Sequence, residues 1–187
     1  MNPGALSWVL AGVILVPGLW LAVLYNRLVR LQNRLREAWS GVDVQLKRRH
    51  DLIPNLVECV KGYRDHEQNV LAAVAQSRSL ARAADDVPGI RAAEHQLTQN
   101  LRALLAVAEA WPALKADQNF RQLSATLIAV EDDLQHARRY YNGSVRDFNN
   151  LVQTFPGLLV ARCFHFKPVD YFELETATER TVPEVGL

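Results

Sequence analysis

Apolar side chains recur along the first third of the chain in steps of three and four: Leu28, Leu31, Leu35, Trp39, Val42, Leu46, Ile53, Val57 and Val60. That spacing marks one face of a helix, and the single position it skips is held by Arg49. Leu24, Leu35, Leu46 and Val57 repeat every eleven residues, as do Leu31, Val42 and Ile53. Eleven residues in three turns give about 3.67 per turn, which predicts a nearly straight or slightly right-handed seam. A cation set into such a seam needs a partner or must reach outward to water. Pro54 removes a backbone donor near His50 and is expected to kink or break this helix.

Downstream, Lys61 to Asp65 reads as a turn, with Asp65 and Gln68 in capping-box spacing. A second helix is expected over about 66–84, with Val70, Val74 and Leu80 inward, and Asp85 to Gly89 as a loop. The third is expected over about 90–110, carrying Leu97, Leu101, Leu104, Ala108 and Trp111, and ending before Pro112. A fourth, over about 118–154 with Asp117 as its cap, shows the longest periodicity: Phe120, Leu127, Leu134, Tyr141, Phe148 and Phe155 at every seventh position, with Leu123, Val130, Ala137 and Leu151 beside them. After Pro156-Gly157 the expectation is an irregular or weakly extended arm, frayed past about residue 175. The predicted fold class is all-α: an antiparallel bundle of long helices joined by short connections.

Upstream of Tyr25 the pattern changes. Leu6 to Leu24 holds 19 residues without a charge, about 29 Å of helix against a hydrocarbon core of about 30 Å. No basic segment precedes this run, so it reads as an uncleaved anchor and not as a signal peptide. Trp8 and Trp20 lie toward its ends, as interfacial residues do. Arg27, Arg30, Arg34 and Arg36 follow it closely, whereas the first eight residues carry no Lys or Arg. The positive-inside rule then puts the N-terminus outside and the body in the cytoplasm, attached to the inner membrane. Arg27, Arg30 and Arg34 share a helical face that can reach anionic headgroups, or act only as topology signals. The expected organisation is residues 1–24 as tip and span, 25–174 as a helical bundle, and 175–187 as a tail.

Net charge is +1, with 22% charged and 49% hydrophobic residues. Near-neutrality argues against nucleic acid, and Lys47-Arg48-Arg49 is expected to form ion pairs, with Asp43 and Asp51 in intrahelical range. The two cysteines, Cys59 and Cys163, have no metal or redox spacing and read as buried or half-buried hydrophobes. The five histidines fall singly. A di-iron bundle needs two Glu-x-x-His helices, and only a degraded Asp133-x-x-His136 is present, so metal-bundle chemistry is a remote alternative. No nucleophile motif or phosphate loop is seen. No catalytic residue, metal ligand or cofactor is therefore expected.

More informative is a polar set beside the seams: Asp43, Arg48, Arg49, Asp51 and Asn55 early in the chain, and Asn142, Arg146 and Asn149 in the fourth helix. Together with Trp39 and Tyr141 they either fix helix register or form contacts with other subunits.

The chain resembles the LemA family of bacterial membrane-anchored proteins. The likeness rests on Tyr25-Asn26, Ala38-Trp39-Ser40, Val42 to Arg49, Asp51 to Val57, Val60-Lys61-Gly62-Tyr63, Ala108 to Pro112, Leu114-Lys115-Ala116, Glu131, Arg138-Arg139, Tyr141-Asn142, Asp147, Asn149, Phe155-Pro156 and Tyr171-Phe172-Glu173. Trp111, Cys59, Phe148 and Gly157 depart from the family's usual residues. The resemblance implies one N-terminal span, a tiny external N-terminus and a cytoplasmic bundle, without known enzymatic activity or cofactor. The family is itself similar to a magnetosome-membrane protein, and its genes often lie beside those of membrane proteases. From this follows the expectation of a non-enzymatic scaffold that self-associates and organises or remodels the bilayer. The alternative is an adapter or regulatory partner of an integral membrane protein such as a membrane protease.

Overall fold

A computed structural model describes residues 3–61 and 68–172, with side chains described from residue 15 onward except Glu109. The turn expected at 62–65, its Asp65 cap, the Trp8 side chain and the tail past 172 lie outside what is described. Among the described residues six helices follow in order: α1 (Pro3–Lys61), α2 (Gln68–Ala83), α3 (Val87–Glu109), α4 (Pro112–Ala116), α5 (Gln118–Gln153) and α6 (Gly157–Cys163). No strand occurs among the described residues, and the fold class is all-α.

The chain divides into two units. One comprises residues up to Gly41 with Arg139–Asp170; the other comprises Val42–Arg138 with the residues from Tyr171. In the second unit, Ile53, Leu56, Val57 and Val60 of α1, Leu71 and Val74 of α2, Leu97, Leu101 and Leu104 of α3, Leu114 of α4, and Phe120 and Leu127 of α5 are buried together. The α2–α3 connection is short, residues 84–86, and these helices pack on each other. In the first unit, Leu28, Leu35 and Ala38 of α1, Tyr141, Val145, Phe148 and Val152 of α5, and Val160 and Ala161 of α6 are buried. Tyr141 stacks edge-on against Trp39, with ring centroids 5.2 Å apart.

Pro54 does not end α1, which runs unbroken for 59 residues. Proline deprives the His50 carbonyl of its usual donor four residues on. The Arg78 side chain of α2 supplies the replacement: its Nε donates to His50 O at 2.8 Å. We therefore expect Arg78→Leu to lower stability by about 1.5–3 kcal/mol, the range for hydrogen bonds to charged groups. The same substitution in a Pro54→Ala background should cost much less, because the helix then satisfies that carbonyl itself. A double-mutant cycle followed by chemical denaturation measures the coupling.

Several expected positions are corrected. Leu80 is 51% exposed, and α2 buries Leu71, Val74, Ser77 and Ala81. Leu80 sits about 120° around the helix from Val74, so the buried stripe follows smaller residues. Asp85 to Gly89 is not all loop: Asp86 caps α3 by accepting the Gly89 N–H at 3.2 Å, and Pro88 fits the first turn, where no donor is needed. Trp111 lies past the end of α3, before α4, and is 37% exposed. Phe155 falls two residues beyond α5 and is 78% exposed, so the heptad spacing continues after the helix has stopped. The segment after Pro156 opens with the seven-residue α6 and only then becomes an extended arm, turned by His165 at φ 60°. Asp117 caps α5 as expected, accepting the Phe120 N–H at 2.9 Å.

Among the described residues no helix is long and apolar enough to cross a membrane. The charge-free run lies on α1, but its side chains are described only from residue 15, and residues 15–24 alone make about 15 Å of helix.

Candidate functional site

The seam of α1 carries Arg49 inward, where its side chain is fully buried. Burial without a partner would be costly, and three groups meet it. Nη1 donates to Glu94 Oε2 of α3 at 2.8 Å, and Nη2 donates to Thr98 Oγ1 at 2.8 Å. Nε lies 2.7 Å from Glu131 Oε1 of α5, a charge contact out of line for a hydrogen bond. Thr98 hands its own hydroxyl proton to the Glu94 carbonyl at 2.9 Å, which turns its oxygen lone pairs toward Arg49. The second oxygen of Glu94 lies 2.6 Å from His50 Nε2, and a carboxylate can only accept, so Nε2 carries the proton. One buried carboxylate thus joins two neighbouring residues of α1 to α3.

Arg138 lies in the same electrostatic neighbourhood. Its guanidinium stands 5.1 Å from the Phe172 ring centroid, with Nε and Nη2 buried and unpaired. Burial, then the nearby positive charge of Arg49, push its pKa down to about 10, against the opposing pull of Glu131 and Glu94. It stays charged at neutral pH.

Both oxygens of Glu94 are engaged and its side chain has no exposed surface. Among the described residues no group of three or more His, Cys, Asp or Glu side chains could hold a metal ion.

The other polar residues singled out from the sequence are placed differently. Arg48 is exposed, 3.8 Å from Asp133 and 3.4 Å from Gln45. Asp43 and Asp51 are exposed and line a recess of about 260 Å³ with Lys47, His50 and Arg82. The basic run therefore pairs across helices, through Arg48 and Arg49, and not with the neighbouring aspartates of α1. Asn55 is exposed beside Cys59, Asn119 and Gln122 in a groove of about 460 Å³. Cys59 is half-buried, and burial first, then Asp117 and Glu58, push its thiol pKa up. Cys163 is exposed on α6, contrary to expectation, because Val160 and Ala161 form the inward side of that short helix. Asn142 lies half-buried on α5.

In the first unit Asn149 acts as a clamp. Its Nδ2 donates to Val169 O at 2.8 Å while its Oδ1 accepts the Val169 N–H at 2.9 Å, imitating a strand pairing with the extended arm. Tyr141 adds a donor to Asp170 O at 3.2 Å, and burial, then the Asp170 charge, push its phenol pKa up. Asn149→Ala removes both partners of Val169 and should cost about 1–3 kcal/mol. Hydrogen exchange is expected to show lost protection concentrated around residue 169.

The four arginines after the charge-free run, Arg27, Arg30, Arg34 and Arg36, are all exposed. Arg27 and Arg34 line a recess of about 750 Å³ with Leu24, Asp147, Asn150 and Phe155.

The sequence profile of the LemA family matches residues 38–186. The chain belongs to the LemA family. A protein named LemA from Metamycoplasma hominis is 29% identical over 131 residues, covering 70% of this chain and 60% of that one. The magnetosome protein MamQ of Magnetospirillum gryphiswaldense is 21% identical over 184 residues, covering 84% of this chain and 68% of its own length. MamQ 2 of Paramagnetospirillum magneticum is 20% identical with the same coverage. The chain thus spans well under the full length of these relatives. Within the LemA-matching region lie Arg49, His50, Glu94, Thr98 and Glu131, the whole buried network.

Sequence reading does not single out Glu94, Thr98 and Glu131 as partners of Arg49, nor His50 as the second donor to Glu94. The signal for Glu94 was present: it precedes Leu97, Leu101, Leu104 and Ala108 in steps of three and four, a charge on an apolar seam just as Arg49 is.

Proposed function

We propose that this LemA-family protein is a single-pass, non-enzymatic scaffold of the bacterial inner membrane that self-associates and organises or remodels the bilayer at its cytoplasmic face. The observation that carries this reading is the surface of α1 before Leu24. Every residue from 15 to 23 is uncharged and exposed, with Leu15 at 69% and Leu19 at 71%, whereas Leu24 is only 8% exposed. A helix apolar on all sides and covered by no other described part of the chain calls for a lipid solvent. Joined to the uncharged residues before it, it reaches about 29 Å. The exposed arginines that follow supply the positive side. The relatives named as magnetosome proteins favour a role in organising membrane over one in catalysis.

In this reading each protomer contributes one span and one basic collar, and repetition of that unit across a surface gives spacing or curvature. The test has three parts. Full-length protein should resist carbonate extraction. An impermeant thiol reagent should label Asn2→Cys, but not Cys163, from outside intact spheroplasts. Electron microscopy of reconstituted membranes should show ordered arrays or altered curvature. Extraction by carbonate removes the anchor reading. Dispersed monomers remove the scaffold reading and favour the adapter.

A further inference from the structure

Phe155, Leu159 and Phe164 are among the larger exposed apolar side chains of the described surface, at 78%, 53% and 56%, and all belong to α6 or its two flanks. They lie within one unit of the chain, together with the residues of α1 up to Gly41. Both flanks of α6 lie beside α1. At the front end, Phe155 borders the recess that Leu24 and Arg27 also line. At the back end, Phe164 packs on Tyr25 with ring centroids 4.7 Å apart. The segment around α6 therefore comes close to α1 near Leu24 and Tyr25, where the charge-free run ends. Its inward side is Gly157, Val160 and Ala161; its outward side is Leu159, Arg162 and Cys163.

The charges at this level point to an occupant. Arg27 and Arg34 face the recess beside a single acid, Asp147, which Arg146 already approaches at 3.7 Å. Positive side chains beside exposed aromatic and leucine side chains, at the mouth of a span, match the interfacial layer of a bilayer.

We propose that α6 and its flanks form a second membrane contact, with Arg27 and Arg34 binding anionic phospholipid headgroups while Phe155, Leu159 and Phe164 enter the acyl boundary. The proposal rests on α1 being the anchor. A chain held at both the span and α6 has its rotation about the span fixed, and fixed rotation is what a scaffold needs to pass orientation from one copy to the next.

Spin labelling of the full chain in a Cys59→Ser, Cys163→Ser background tests it. Nitroxides at Phe155→Cys and Leu159→Cys are read in vesicles of phosphatidylcholine with phosphatidylglycerol. A third, at the exposed Tyr140 on α5, about 20 Å before that helix ends, serves as the water-facing reference. The expected result is an oxygen-to-nickel-chelate accessibility ratio severalfold higher at 155 and 159 than at 140, falling toward the reference in pure phosphatidylcholine. Equal ratios at all three positions in protein that floats with the vesicles overturn the second contact and leave the anchor standing. Equal depth in both lipids overturns the headgroup assignment. Protein that does not float overturns the anchor and this proposal together.

Discussion

Glu94→Ala is expected to lower the unfolding free energy by about 3–5 kcal/mol, because it leaves a fully buried Arg49 facing no carboxylate on α3. The loss comes from more than one contact. Glu94 also accepts from His50 Nε2, so the deletion leaves two donors of α1 without their acceptor. A stability of about 5–15 kcal/mol for an ordinary domain would be largely consumed. The partner substitution separates the cost of an orphaned charge from the worth of the pair. Arg49→Met combined with Glu94→Leu removes both charges, and buried ion pairs replaced by apolar residues of similar size are commonly neutral or stabilising. The double variant should therefore recover most of the loss. Arg49→Glu goes further, setting three carboxylates of α1, α3 and α5 against one another, and should prevent folding. A protein that folds after Arg49→Glu but no longer self-associates would make Arg49 a subunit contact and not an internal one. Thermal melts followed by circular dichroism, with sizing of the folded material, distinguish these outcomes.

How much of this was legible in the sequence varies with the kind of signal. Long periodic segments were readable: α1 from Leu28, α3 and α5 emerge at nearly their observed bounds because each buries a stripe of large side chains at helical spacing. In α2, Val74 and Val70 face the core as the spacing predicts, but Leu80 does not, because the buried stripe continues through the smaller Ser77 and Ala81. The helix α6 was missed for a different reason. Seven residues are too few to show a period, and the helix exists through packing: Gly157 sits so close to the Leu151 carbonyl that a Cβ there would overlap it. Pro54 was recognised as a threat to α1, but the remedy lies with Arg78, 28 residues on, which no local pattern announces. In the network itself, Arg49 stood out as an exception within its own seam. Glu131 and His50 sit beside their seams and carry no such mark, so their convergence is a product of the tertiary fold.

The strongest check on the helical phase of α5 compares two adjacent residues. Leu127 is 4% exposed and belongs to the apolar cluster with Ile53, Leu97 and Leu104, whereas Ile128, one step on, is 59% exposed. Consecutive helical positions differ by about 100°, so a seam that buries one turns the other to solvent. Leu127→Arg forfeits about 1.5–3 kcal/mol of apolar burial and forces a guanidinium into a cluster with no carboxylate among its members. The combined cost is on the order of 5 kcal/mol or more, enough to unfold this unit. Ile128→Arg makes the same chemical change on the outer face and should alter stability by no more than about 0.5 kcal/mol. Helical circular dichroism and limited proteolysis of the two variants read the difference directly. Equal damage from both would mean that Ile128 is covered in the working assembly, by a second copy or another partner, and no damage from Leu127→Arg would overturn the packing of α5 against α1 and α3.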